Sequence, residues 1–229
     1  ASSSKAQNGA ANTPTISGLG DADVTLTAGG DISLVQATKL TNANSGTTGV
    51  VTAVIAAQGI ATLASTADAG TDDEVLTIAI EAGNAFDMTI NDAAFDAEHL
   101  KELLALDAAT TGTITLTGNT NAPGLTGTIA QLKTAYQSFD VPTTATKGID
   151  NLGSSILTAV IATDEVINAA DLVYLDDLTA GAINFSGLGA DNSISGSYAD
   201  IKKVYEGGVN AAIEGASIGA TVTGTITAA

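Results

Sequence analysis

Hydrophobic positions in this chain follow two alternating periods. Period two, the signature of a half-buried strand, covers residues 24–27, 50–56, 75–80, 113–117, 156–161, 182–186 and 220–227, with a shorter strand at 88–90. Helical spacing is clearest after Asp96, where Leu100, Leu103, Leu104 and Leu106 form one apolar stripe and Glu98, Lys101 and Glu102 are predicted to face water. Asp96 suits the N-cap, and the acid two residues on suits the positive end of the helix. Thr126 or Thr128 caps a second helix to Tyr136, with Ile129, Leu132 and Tyr136 inward. Asn168 stands where Asp96 stood, and Ser195 or Ser197 caps a helix to Tyr205. Asp31 is read as the cap of a short helix to Lys39, and residues 59–64 as another. Residues 66–74 and 118–124 read as loops, and residues 1–15 as an extended or flexible lead-in.

The elements recur. Residues 106–136 align without a gap to residues 175–205, and ten of the 31 positions are identical, among them Asp107/Asp176, Thr110/Thr179, Gly112/Gly181, Lys133/Lys202 and Tyr136/Tyr205. That alignment runs at an offset of 69, whereas Asp96 and Asn168 match at 72, so the helix of the later copy should be three residues shorter. Thr48-Gly49-Val50-Val51 parallels residues 111–114 at an offset of 63 and marks a degenerate first copy. The division is a lead-in at 1–15, a degenerate repeat at 16–83, a second repeat at 84–150, and a third at 151–229 with a terminal strand resembling the start of a further copy. The expected fold class is α/β, in strand–helix–strand–helix units of about 65–70 residues. Either a solenoid-like stack or one layered domain would satisfy that pattern.

Composition limits what such a scaffold does. Hydrophobic residues make up 45% of the 229 but aromatics only 3%, so the core is built from small side chains in thin layers. Seven lysines and no arginine stand against 25 acidic residues, a net charge of −18. Such a surface repels phosphate backbones and anionic membranes, so no nucleic-acid partner is expected. It attracts cations instead. The absence of cysteine excludes disulfides and thiolate chemistry. The most apolar run, residues 50–64, is interrupted by Thr52, Gln58, Gly59 and Thr62 and does not make a membrane span.

Candidate chemistry is sparse. His99 is the only histidine and lies beside Glu98 and Glu102, but a catalytic base needs a nucleophile and an orienting acid. The position becomes Asp171 in the next copy, which favours a solvated helix face. Asp21 and Asp23, and the cluster Asp72, Asp73 and Glu74, are candidate oxygen ligands for Ca²⁺. They match no EF-hand or nonapeptide spacing, and solvated loop carboxylates are the plainer reading. Asp107 and Asp176 stand at helix C-termini, which the dipole disfavours, and are read as side-chain caps on the Thr-x-Gly turn that follows. Tyr136 and Tyr205 are read as core. Asn184-Phe185-Ser186 fits a glycosylation pattern within a predicted strand. Paired carboxylates for glycoside hydrolysis lack the aromatic platforms of a sugar cleft.

The segments ISGLGDADVTL (16–26), LTGTIAQLKTAY (125–136), INAADLVYLDDLTAGAI (167–183) and ISGSYADIKKVY (194–205) resemble the tandem repeats of very long, Ala/Thr/Gly/Asp-rich surface and virion structural proteins of marine cyanobacteria and their phages. The resemblance implies an extracellular, cell-surface or virion location and brings no catalytic residue. Residues 31–47 lack the Ala-Asp-Leu-x-x-Leu-Asp helix signature. The expectation is therefore a non-enzymatic structural or display protein that assembles with itself or with neighbouring repeats. A Ca²⁺-dependent adhesin and a carbohydrate-active enzyme are the alternatives.

Overall fold

The computed structural model describes residues 20–26, 30–41, 47–67, 75–117, 124–139, 148–152, 155–187, 191–206 and 219–222. In chain order the elements are β1 (Val24–Thr25), α1 (Leu34–Thr41), β2 (Val51–Gln58), α2 (Ile60–Leu63), β3 (Ala64–Ala67), β4 (Val75–Ile78), β5 (Ala85–Ile90), β6 (Ala94–Phe95), α3 (Ala97–Ala109), β7 (Thr113–Leu116), β8 (Gly124–Gly127), α4 (Ile129–Phe139), β9 (Gly148–Asp150), β10 (Leu157–Val160), β11 (Val166–Asn168), α5 (Ala169–Leu178), β12 (Ile183–Ser186), β13 (Ser193–Gly196), α6 (Tyr198–Glu206) and β14 (Gly219–Val222). The chain is mixed α/β, as expected.

Three parallel sheets carry the fold, in the orders β1-β2-β5-β7-β9, β12-β10-β8-β6 and β11-β13-β14; β3 and β4 form a separate antiparallel pair. Parallel neighbours need crossovers, and the helices supply them. From α2 to α6 each helix packs on the next. Strands alternate buried and half-exposed positions, so each sheet gives one face to a core that runs without a break from Val51 to Val204.

Helix starts follow local chemistry. The Asp96 carboxylate accepts from His99 N–H at 2.9 Å, and Asn168 Oδ1 accepts from Ala170 N–H at 2.9 Å. Thr128 and Gln131 form a reciprocal capping box: Gln131 Oε1 accepts from Thr128 N–H and Thr128 Oγ1 from Gln131 N–H. Ser33 and Gln36 do the same at α1, so that helix begins after Ser33 rather than at Asp31. Ser197, not Ser195, caps α6, with Asp200 N–H donating to its hydroxyl at 3.2 Å. The expected shortening is present: α3 has 13 residues and α5 has 10.

Other expectations need correction. Each of α3 to α6 is preceded directly by a strand that the hydrophobic pattern did not reveal, namely β6, β8, β11 and β13. These strands are only two to four residues long, and two of them, β8 (GLTG) and β13 (SISG), contain glycine, too little sequence to register a period. The order is thus strand–strand–helix. Residues 64–67, partly assigned to a loop, pair with β4 as β3. Glu102 faces inward at 3% exposure, because its Oε1 accepts the Thr66 N–H of β3 at 2.6 Å. The lead-in at 1–15 and the predicted strand residues 223–227 lie outside the described residues.

Candidate functional site

The most regular feature is a buried threonine that follows each of three helices, directly after α3 and α5 and six residues after α1. Thr47, Thr110 and Thr179 are 2%, 1% and 3% exposed. Each hydroxyl donates to a carbonyl on an earlier strand or the loop leading into it: Ala22 at 2.6 Å, Phe86 at 2.9 Å and Ser155 at 2.7 Å. Each also accepts the N–H of the glycine two residues on, at 2.9, 3.0 and 3.0 Å. Glycine is required there by close approach. A Cβ on Gly49 would lie 2.6 Å from the Ala22 carbonyl, and one on Gly112 would lie 2.3 Å from the Phe86 oxygen. The hydroxyl thus satisfies buried backbone groups that a strand crossing so closely would otherwise leave unpaired.

This arrangement corrects the role assigned to Asp107 and Asp176. The threonine bonds the Thr-x-Gly turn itself, and the Asp107 carboxylate instead accepts from the Ser138 hydroxyl of α4 at 2.8 Å. Burial, with help from neighbouring Asp177, holds the Asp176 carboxyl above the usual carboxylate range, and Lys203 pulls it back down.

In the helix layer Lys133 of α4 pairs with Asp171 of α5 at 2.5 Å, with the Tyr174 ring centroid 6.0 Å from the ammonium. His99, at the position aligned with Asp171, has Nδ1 3.1 Å from the Asp96 carboxylate and a side chain 37% exposed, so it lies on the helix surface. Tyr136 is fully buried, and its hydroxyl donates to the Leu152 carbonyl at 2.8 Å. Burial pushes its phenol above the ordinary value, with the hydroxyls of Thr179 and Ser155 opposing. Tyr205 departs from the core assignment at 47% exposure. Helix α5 packs on the α4 that carries Tyr136, whereas α6 is the last helix among the described residues.

The cation candidates separate. Asp23 Oδ1 accepts the Val50 N–H at 2.8 Å, a bond repeated between Asp87 and Thr113 N–H at 2.8 Å, so that carboxylate serves strand pairing. Asp21 is exposed two residues before it, and Asp72, Asp73 and Glu74 lie outside the described residues. Among the described residues no three His, Cys, Asp or Glu side chains converge as a metal site. A cleft of about 220 Å³ lies between Thr41, Thr47–Val50 and Glu81–Asn84. It is small for an organic ligand, and among its described lining residues Glu81 is the one carboxylate and none is histidine or lysine. Among the described residues no helix is long and apolar enough to cross a membrane.

The surface shows an asymmetry that periodicity did not reveal. Among the residues whose burial is described, eight large apolar ones are exposed. Leu26, Val35, Val50 and Val54 lie near the β1 end; Ile156, Val166, Tyr198 and Tyr205 lie in the last third of the chain. Among the residues whose burial is described none falls between Val54 and Ile156. The repeat alignment was the available signal: Ile129 and Tyr136 of α4 are buried, while their counterparts Tyr198 and Tyr205 of α6 are not. No protein-family model, curated protein or solved structure matches this chain.

Proposed function

We propose that this is a non-enzymatic structural protein whose strand–strand–helix turns stack in the manner of a solenoid and join end to end with further copies. The separation of exposed apolar residues into a first and a last group carries the reading. Two different complementary surfaces at opposite ends make a heterologous contact, which propagates into a filament or layer rather than closing as a dimer. The equivalent threonine bonds at Thr47, Thr110 and Thr179 support stacked units that share one backbone geometry. The resemblance to tandem-repeat surface and virion proteins favours an extracellular, cell-surface or virion setting, and a chain without cysteine is compatible with it.

A net charge of −18 opposes association at low salt. The Debye length falls from about 30 Å at 0.01 M salt to about 3 Å at 1 M, so assembly should strengthen with salt. Sedimentation velocity over a wide concentration range at both ionic strengths tests this. Mass that grows with concentration, and grows more at high salt, is expected. Monomers under every condition would overturn the proposal. Running the series in Ca²⁺ and in chelator separates general screening from the specific requirement of a Ca²⁺-dependent adhesin.

A further inference from the structure

We infer that the contact between helix α3 and strand β3 binds one monovalent metal cation, Na⁺ or K⁺, through Glu102 and Thr66. The site is independent of the assembly reading. It starts from a buried charge. Glu102 is 3% exposed, and its Oε1 accepts the Thr66 N–H at 2.6 Å. Its Oε2 is sealed from solvent, and among the described residues nothing donates to it. The Thr66 hydroxyl oxygen is sealed in the same way and likewise has no partner among them.

Strand geometry brings a third oxygen to the same place. β3 and β4 pair antiparallel, with Ala64 opposite Ile78 and Thr66 opposite Leu76. One position before β3, the Leu63 carbonyl accepts the Ala79 N–H at 2.7 Å. Opposed residues in such a pair alternate between bonded and non-bonded, so Ser65 bonds β4 while Thr66 turns both its N–H and its C=O outward. Glu102 meets that outward N–H from α3, where a neighbouring strand would otherwise lie. A strand would also donate an N–H to the Thr66 carbonyl, but an ionised carboxylate only accepts. Glu102 Oε2, Thr66 Oγ1 and the Thr66 carbonyl therefore gather at one contact with a single hydroxyl proton among them.

An ionised carboxylate taken out of water is costly unless an opposite charge accompanies it. Among the described residues no lysine or histidine pairs with Glu102; Lys133 is held by Asp171 and His99 by Asp96. A water molecule would serve the hydrogen bonds and leave the charge. One monovalent cation balances one carboxylate. Ca²⁺ would leave a net positive charge, and it takes about six to eight oxygens, several from carboxylates, a grouping absent among the described residues. A net charge of −18 also draws cations to the chain. The hairpin belongs to none of the three parallel sheets and rests on α2 and α3. The cation supplies the link that a sheet would otherwise provide and fixes β3 to the helix layer.

The test is thermal unfolding of the full chain, followed by circular dichroism in NaCl, KCl or choline chloride at about 0.15 M, so that screening is equal and choline is too large for the site. Wild type is expected to melt about 2–4 °C higher in NaCl or KCl than in choline chloride. In Glu102→Gln the amide oxygen keeps the Thr66 N–H, and the amide N–H₂ donates to the Thr66 oxygens. That variant should melt at one temperature in all three salts, no lower than wild type in choline chloride. Thr66→Val keeps the carboxylate and removes one ligand, so its difference between salts should shrink; an undiminished difference counts against the site. Sodium NMR gives a direct readout: the line should broaden more with wild type than with Glu102→Gln, and excess K⁺ should remove the excess. Equal melting of wild type in the three salts overturns the site. A salt difference that survives in Glu102→Gln overturns it too, because the ions then act elsewhere on the acidic surface. A rise with Ca²⁺ and none with Na⁺ or K⁺ overturns the charge matching on which the inference rests. Each of these results leaves end-to-end assembly standing.

Discussion

Replacing Thr110 by valine removes one hydroxyl and keeps the shape of the side chain. In the wild type that hydroxyl accepts the N–H groups of Phe86 and Gly112, each at 3.0 Å, and donates to the Phe86 carbonyl at 2.9 Å. Thr110 is 1% exposed, so water cannot replace what is lost. A buried polar group left without a partner costs about 1–3 kcal/mol, and two N–H groups are orphaned together, so Thr110→Val should cost about 3 kcal/mol. That is a large share of the roughly 5–15 kcal/mol that holds a typical domain folded. Thr110→Ser keeps the hydroxyl and loses one methyl, for about 1 kcal/mol. Urea unfolding followed by circular dichroism measures both. With a slope of about 2–3 kcal/mol per molar, the valine variant should lower the midpoint by about 1 M or more and the serine variant by less than half that. The reasoning fails if valine proves no more destabilising than serine, because the site would then be held by packing alone.

Two further outcomes follow from the titrating groups. Tyr136→Phe strands the Leu152 carbonyl and should cost about 1–2 kcal/mol, whereas Tyr205→Phe should stay within about 0.5 kcal/mol by the same denaturation assay. Burial holds the folded Tyr136 phenol above its ordinary value, so above about pH 10 the unfolded chain releases this proton and the folded chain keeps it; stability then falls as pH rises, and that part of the fall should be missing in Tyr136→Phe. Asp176 has the same sign at lower pH: its folded value is raised, so its contribution worsens as pH climbs from the unfolded value of 3.8 through the folded one. Asp176→Asn should therefore stabilise at pH 7 by less than about 1 kcal/mol and have no effect near pH 3.

What the sequence disclosed was set by the length of each signal. The cap at Asp96, the stripe of Leu100, Leu103 and Leu106, and the inward Ile129, Leu132 and Tyr136 were legible because helices repeat their pattern over several turns. The strands at Ala94–Phe95 and Gly124–Gly127 were not, since two or four residues cannot display a period and glycine contributes no side chain to one. Glu102 was misplaced because its partner is a backbone N–H on a hairpin 36 residues away, a contact no helical wheel contains. The Thr-x-Gly turn was noticed, but its repetition was credited to the neighbouring aspartates. The geometry needs a donor and acceptor in one short side chain, which threonine has and an ionised carboxylate lacks.

Tyr136 and Tyr205 extend this point from folding to assembly. Their identity and helical position are the same, yet one is sealed and the other 47% exposed. The residue alone therefore does not decide its burial; its surroundings do. The exposed part of Tyr205 would gain free energy if another copy covered it, at about 25 cal/mol for each Å² removed from water. In the proposed assembly that cover is the start of another unit of the same kind, with the geometry that already seals Tyr136. Opposing this is the repulsion between two chains of charge −18, which salt weakens while leaving apolar contact intact. Under the end-to-end assembly proposed above, contact energy concentrated at the ends and repulsion spread over the whole surface together favour growth along one axis and place its onset under the control of dissolved cations.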